Sequence, residues 1–186
     1  MKYKGKRIIL IDSNKNFIQS ALDNDLEAIR ADVYDDELTD NIELNDVGYL
    51  IAMTGSDAVN NHALNRFSKD FGEHGAYKLA SSVQLLESSK EDKEWFFTPN
   101  DDYINLSEAY RENPDIIDVK ITHENEYTKI LELLSKEEKS VPLFVEKNGG
   151  IYLIPEFEKT GEPKENLVLS YLGKDVGNNY KSNSKV

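Results

Sequence analysis

Short continuous apolar runs alternate with helix-like segments in the first part of the chain, up to Ser82. Runs of this kind are typical of parallel strands buried on both faces. The predicted strands are RIILID, LEAIRAD, GYLIAMT and AYKLAS. The predicted helices between them are SNKNFIQSALDN, YDDELTDNIELNDV and GSDAVNNHALNRFSKDFG. Strand alternating with helix predicts a parallel sheet covered on both faces, so residues 1–82 are expected to form an α/β domain.

The pattern changes after this domain. Residues 83–114 are polar and acidic, and we interpret them as a connecting segment with one short helix or hairpin. Residues 115–173 predict a small α+β domain, and residues 174–186 a flexible tail without a core-forming pattern. The elements of the small domain are the strand DIIDVKIT, the helix ENEYTKILELLSKE, a hairpin turning at Asn148-Gly149-Gly150 and the strand NLVLSYLG.

Charge and composition narrow the classes of partner. The chain of 186 residues has a net charge of −13, which repels phosphate backbones, so we expect no nucleic-acid partner. Cysteine is absent, which excludes disulfides and thiol chemistry, and no secretion signal follows Met1. No apolar run approaches the roughly 20 residues that cross a bilayer. The sequence therefore predicts a cytoplasmic chain that does not itself insert into a membrane.

Motifs of known catalytic chemistry are not found in the sequence. It contains no G-x-S-x-G, P-loop or H-E-x-x-H pattern. The histidines His62, His74 and His123 lie far apart, so we predict no metal site and no catalytic residues. If protons are the signal that the protein senses, His62 or His74 and the acidic surface are the groups that could titrate.

The ends of the predicted strands carry the candidate binding residues. Ligands of doubly wound sheets lie beyond the carboxyl ends of the strands, which here are marked by Asp12, Asp32 and Thr54-Gly55. Asp12 could accept both hydroxyls of a ribose, Asp32 could lie near a base, and Thr54-Gly55 would let the backbone approach a ligand. The alternative for Asp12, equally open, is a helix cap.

These residues occur in an order that resembles the N-terminal lobe of RCK domains, also called TrkA-N domains, which regulate potassium channels and transporters. The matching features are the strand that ends in Asp12, Ala31-Asp32 where the family usually has Gly-Asp, and the segment IAMTGSDAVN. Further along, HALNRFSKDFGEHGAYKLAS, SVPLFVEKNGGIYLIPEF and LVLSYLG look like the cytosolic C-terminal region of NhaP-type sodium/proton antiporters. The resemblance covers roughly residues 7 to 173.

The resemblance implies an incomplete Rossmann-like parallel sheet that lacks its first strand, followed by a small α+β domain. In complete lobes the pyrophosphate lies on a glycine-rich turn after that first strand. Either the chain was cut from a longer membrane protein or the natural chain has lost this part. We expect another segment or a second copy to cover the strand edges that the missing strand exposes.

The ligand implied by the resemblance is NAD(H) or an adenine nucleotide, although the residues alone establish no cofactor. Asn60 joins the candidate binding residues through the family's acidic-x-x-Asn pattern, with packing or capping as the alternative role. The implied partners are a transmembrane antiporter region and a second copy in a homodimer at the inner face of the membrane. The implied function is therefore regulatory and not enzymatic: a cytosolic domain of a sodium/proton antiporter.

Two other classes of function stay open on the sequence. One is a stand-alone Rossmann-like nucleotide-binding protein or oxidoreductase. The other is a structural assembly module whose nucleotide site is vestigial. An antiporter membrane region encoded upstream would favour the regulatory domain, bound nucleotide without such a region would favour the stand-alone protein, and neither would favour the assembly module.

Overall fold

The computed structural model describes residues 4–35, Leu38, 48–71, 75–79 and 102–183. By their contacts, the residues divide into two compact units, 1–50 with 61–76 and 51–60 with 77–186. Up to residue 79 the elements are β1 (Ile9–Asp12), α1 (Lys15–Asp23), β2 (Glu27–Arg30), β3 (Tyr49–Ala52), α2 (Asp57–Phe67), a 3-10 turn (Ser68–Phe71) and β4 (Gly75–Lys78).

From residue 103 onward the described chain forms four helices and four strands. They are α3 (Tyr103–Glu112), β5 (Ile116–Ile121), α4 (Glu124–Leu134), β6 (Val141–Lys147), β7 (Gly150–Leu153), α5 (Ile154–Lys159), β8 (Leu167–Leu172) and α6 (Val176–Asn183). The predicted α/β class, with a Rossmann-like first part and a small α+β part, is confirmed.

Strands β1 and β2 form a parallel pair joined by α1. Their register aligns Ile9 with Glu27 and Asp12 with Arg30, and α1 packs on the pair through Ile18 and Ala21. A strand, a helix and a parallel strand in succession are the unit that the sequence pattern predicted. Where the pattern predicted one sheet, however, the described strands of this part pair two by two, β1 with β2 and β3 with β4.

The four strands after residue 115 form an antiparallel sheet in the order β5-β8-β6-β7. Asn148 and Gly149 have φ values of 52° and 78°, as a tight hairpin turn between β6 and β7 requires. Helices α4 and α5 supply Tyr127, Ile130 and Phe157 to a core that also contains inward-facing residues of β5, β6 and β8. Burial of these apolar side chains stabilises the α+β part.

Helix α6 lies in residues 174–186, for which the sequence predicted a flexible tail. Its apolar contribution is small, since Val176 and Tyr180 alone pack against the core from this helix. Polar contacts hold it as well: the Gly177 amide donates to the Tyr171 hydroxyl at 3.0 Å, and the Asp175 carboxylate accepts from the Asn178 amide at 3.1 Å. Two apolar residues four apart give too short a pattern to predict a packed helix.

Lys181 of α6 forms an ion pair with Glu126 in the first turn of α4 at 3.0 Å. The Glu126 carboxylate also accepts from the Thr122 amide at 2.7 Å and from the Thr122 hydroxyl at 2.9 Å. Burial raises the pKa of Glu126, but the hydrogen bonds from Thr122 and Lys181 outweigh it and lower the pKa from 4.5 to about 2. The unfolded chain therefore binds more protons between these two values, and this contribution to stability is lost as the pH falls from about 4.5 to about 2.

We expect Glu126→Gln to lower the free energy of unfolding at pH 7 by about 1 kcal/mol, a modest value because the side chain is partly exposed. The difference from the unmodified chain should shrink between about pH 4.5 and pH 2, as urea titrations followed by circular dichroism would show. Glu124→Gln removes an exposed carboxylate from the same helical turn and is the matched control. Equal losses in the two variants would contradict the special role of Glu126.

Several sequence predictions fall on residues outside those described. They are most of the helix predicted at residues 34–47, the boundary between residues 82 and 83, most of the connecting segment, and His74. The domain boundaries stay predictions. Within the described ranges no helix is long and apolar enough to cross a membrane, and no three acidic or histidine side chains are grouped as metal ligands would be.

Candidate functional site

The carboxyl ends of β1 and β2 form one edge of the first unit. Because the strands are parallel and Asp12 is aligned with Arg30, both strands end at the same end of the sheet. The Ala31 amide donates to the Asp12 carbonyl at 3.2 Å and extends the pairing by one step. The structure thus brings two of the predicted site residues, Asp12 and Asp32, to a common edge.

Asp12 is held by the turn that leads into α1. Its Oδ1 accepts from the Asn14 amide at 2.7 Å, whereas the cap of α1 is Asn14, whose side chain accepts from the Asn16 amide at 2.9 Å. Capping, one of the two roles open for Asp12, therefore belongs to Asn14. Within the described part of the chain no donor contacts Oδ2 of Asp12, so this oxygen can accept from a ligand.

Asp32 opens a tight turn just beyond β2. Its Oδ1 accepts from the Tyr34 amide at 3.0 Å, and its carbonyl accepts from the Asp35 amide at 3.0 Å. Asp12 and Asp32 are therefore held alike, each with one carboxylate oxygen bound to an amide two residues ahead. Side chains fixed in this way need little reordering when a ligand binds.

Arg30 brings a positive charge to the same edge. Its Nε donates to the Ser13 carbonyl at 3.3 Å, so the guanidinium lies beside the turn between β1 and α1. This cation offsets part of the repulsion between the two carboxylates and phosphate groups. Sequence reasoning missed Arg30, although its register opposite Asp12 follows from the parallel pairing.

The Tyr34 ring lies against the imidazole of His62 from α2, with ring centroids 4.4 Å apart and an interplanar angle of 45°. More than half of the Tyr34 side chain remains exposed. From the sequence, His62 was considered for metal binding, which was rejected, and for titration, and Tyr34 was not selected. The signal that could have found Tyr34 is an aromatic residue two positions after a strand-end aspartate.

Thr54, Gly55 and Asn60 lie in the second unit. The Asn60 side chain is buried and spans the turn between β3 and α2. Its Oδ1 accepts from the amide and hydroxyl of Thr54 at 3.0 Å and 2.8 Å, and its Nδ2 donates to the Thr54 carbonyl at 3.0 Å. These hydrogen bonds hold the turn together, and the ligand roles of Thr54, Gly55 and Asn60 stay predictions.

Gly55 was selected because a glycine lets a ligand approach the backbone closely. In the structure the Tyr103 ring of α3 lies beside it, with a ring carbon 3.6 Å from the place of an added Cβ. That distance is an ordinary contact, so the space beside Gly55 is partly filled by the protein itself.

The parallel β1-α1-β2 unit with acidic strand ends defines this part of the protein as a Rossmann-like domain. The TrkA-N domain matches residues 1–84, a range that contains all five predicted site residues. No curated protein matches the chain. The match covers the first part of the chain and does not extend to the antiparallel sheet.

Proposed function

We propose that the chain is a regulatory domain of a monovalent-cation antiporter of the sodium/proton type, and that it binds NAD(H) or an adenine nucleotide. The single observation that carries the nucleotide site is the placement of Asp12 and Asp32 at one edge of a parallel pair, each held by its own turn. The TrkA-N match of residues 1–84 supports the regulatory class.

Each carboxylate has a distinct task in this proposal. The open oxygen of Asp12 accepts from the ribose hydroxyls, and Asp32 on the neighbouring strand accepts from an amine of the base. The Arg30 guanidinium lies at the turn that follows Asp12 and supplies a positive charge for a nucleotide phosphate bound there. In this proposal Asp12 binds the ribose of the ligand and Arg30 binds its phosphate.

Regulation follows from differential binding. A nucleotide that binds one arrangement of the domain better than another shifts the population towards that arrangement. Through the chain connection, this shift changes the state of a transmembrane antiporter region. We place the domain at the cytoplasmic face of that membrane, as a binding module and not as an enzyme.

A second copy of the chain is part of the proposal. Strands of parallel sheets are normally buried on both faces, whereas Ile11 of β1 is exposed and Ile9 and Leu10 are half-buried. A two-stranded sheet is also marginal by itself. A homodimer that covers β1 would bury these apolar side chains and would add strands to the two-stranded sheet.

Isothermal titration of the chain with AMP, ADP, ATP, NAD and NADH tests the nucleotide site. We expect saturable binding by at least one of them, in a species whose mass by light scattering is twice the 21.2 kDa of the chain. Asp12→Ala should weaken that binding by about tenfold or more, since a charge-assisted hydrogen bond contributes about 1.5–3 kcal/mol.

Asp23→Ala is the matched control because it removes the same charge from the opposite end of α1. It should leave the affinity nearly unchanged. If none of the five nucleotides binds, or if Asp23→Ala weakens binding as much as Asp12→Ala, the site at this edge is wrong.

A further inference from the structure

Tyr34 is fixed in place by the turn that Asp32 opens. The Tyr34 amide donates to the Asp32 carboxylate, and the Asp35 amide closes the turn on the Asp32 carbonyl. The aromatic ring is therefore attached two residues from one of the two strand-end carboxylates. The Tyr34 backbone is thus in direct contact with the Asp32 carboxylate.

His62 supports the Tyr34 ring from α2. The two rings are 4.4 Å apart at their centroids, and Nε2 of His62 is buried without a hydrogen-bond partner among the described residues. Among the described residues the imidazole is therefore placed by its ring contact with Tyr34 and not by a hydrogen bond of Nε2.

An exposed aromatic ring that is supported by a second ring can serve as a stacking surface. Tyr34 is 53% exposed despite the contact with His62. Every nucleobase has a flat face that gains by stacking on an aromatic side chain. The carboxylate of Asp32, which is bonded to the Tyr34 amide, would then accept from the exocyclic amine of an adenine stacked there.

We propose that the base of the bound nucleotide stacks on the Tyr34 ring and that His62 is a positioning residue that holds this ring in place. The inference rests on the nucleotide site proposed above and adds the residue that contacts the base. It assigns the ribose to Asp12, the amine of the base to Asp32 and the face of the base to Tyr34. The ligand class is a nucleotide that carries adenine.

Titration of the full chain with AMP and with ribose 5-phosphate separates the base from the rest of the ligand. Tyr34→Ala should weaken AMP binding by about tenfold and leave ribose 5-phosphate binding unchanged. Tyr34→Phe keeps the ring and should keep the AMP affinity. Tyr110→Ala removes a similarly exposed tyrosine from α3 and is the matched control.

A direct sign of stacking is the NMR shift of the H8 and H2 protons of AMP. A base stacked on Tyr34 has these signals shifted upfield by the ring current, and Tyr34→Ala should abolish the shift. For His62, we expect His62→Ala to weaken AMP binding without changing ribose 5-phosphate binding, and His62→Phe to restore it. A purely structural histidine would change the binding of both ligands together.

The outcomes distinguish this inference from the nucleotide site itself. If Asp12→Ala abolishes AMP binding while Tyr34→Ala leaves the affinity and the shifts unchanged, stacking on Tyr34 is wrong and the nucleotide site stands. If the unmodified chain binds none of the five nucleotides titrated above, both proposals fail. If AMP binds no more tightly than ribose 5-phosphate, the stacking of the base on Tyr34 is also wrong, whereas the nucleotide site stands.

Discussion

Gly173→Ala is expected to lower the free energy of unfolding by about 3 kcal/mol or more, because it combines backbone strain with overpacking. Gly173 directly follows β8 and has a φ of +123°, a conformation that residues with a Cβ rarely adopt. An added Cβ would clash with the Ser140 Oγ and would lie 2.7 Å from the Lys139 carbonyl oxygen. Because one of these atoms belongs to the backbone, the clash cannot be relieved by a side-chain rotation alone.

Gly161→Ala is the control for the strain by itself. Gly161 has a φ of +68° and open space around an added Cβ, so its replacement should cost about 1 kcal/mol. Urea unfolding followed by circular dichroism measures both variants. Adding Ser140→Gly to Gly173→Ala should recover part of the loss and no more, since the Lys139 carbonyl remains. Equal losses for the two glycine variants would show that the packing between β8 and the start of β6 tolerates a methyl group.

The predicted fold followed from features that are local in the sequence. Continuous apolar runs predicted β1 and β3, the segment DIIDVKIT predicted β5, and the turn at Asn148 and Gly149 predicted the hairpin of β6 and β7. Each of these patterns involves only a few neighbouring residues, so the element that it predicts does not depend on tertiary contacts. The pairing of the first four strands into two sheets could not be predicted, because it depends on which strand edges meet in space.

In the candidate site too, the local features could be predicted from the sequence and the contacts between distant residues could not. The positions of Asp12 and Asp32 follow from the rule that ligands lie at the carboxyl ends of parallel strands. The contact between Tyr34 and His62 joins residues 28 positions apart on different elements, and no periodicity relates them. Asn14 caps α1 because its side chain accepts from the Asn16 amide, whereas the Asp12 side chain accepts from the Asn14 amide.

Phe157 shows how the core of the α+β part depends on a helix that the pattern did not predict. Helix α5 follows β7 immediately, in the segment IPEFEK, which carries too few apolar residues to show a helical period. Phe157 is nevertheless fully buried, with the rings of Tyr127 and Tyr152 at 6.1 Å and 5.9 Å. The Lys164 ammonium lies 4.0 Å from its ring centroid and donates to its carbonyl at 2.8 Å.

Phe157→Ala is therefore expected to lower the free energy of unfolding by about 4 kcal/mol, through lost burial and the cavity that remains. Phe17→Ala is the matched control, since Phe17 of α1 is 59% exposed and its loss should cost about 0.5 kcal/mol or less. Denaturant unfolding of both variants gives the comparison. Similar losses at the two positions would contradict the placement of Phe157 in the core.

Phe157→Leu separates the volume of the side chain from its aromatic ring. Leucine keeps most of the buried apolar surface but loses the ring contacts with Tyr127 and with the Lys164 ammonium, so we expect an intermediate loss of about 1–2 kcal/mol. Replacing Lys164 by methionine in the Phe157→Leu background should then cost less than the same replacement in the unmodified chain. Such coupling would show that the cation stabilises α5 through the ring, whereas equal costs would assign its effect to Glu158 and the Phe157 carbonyl.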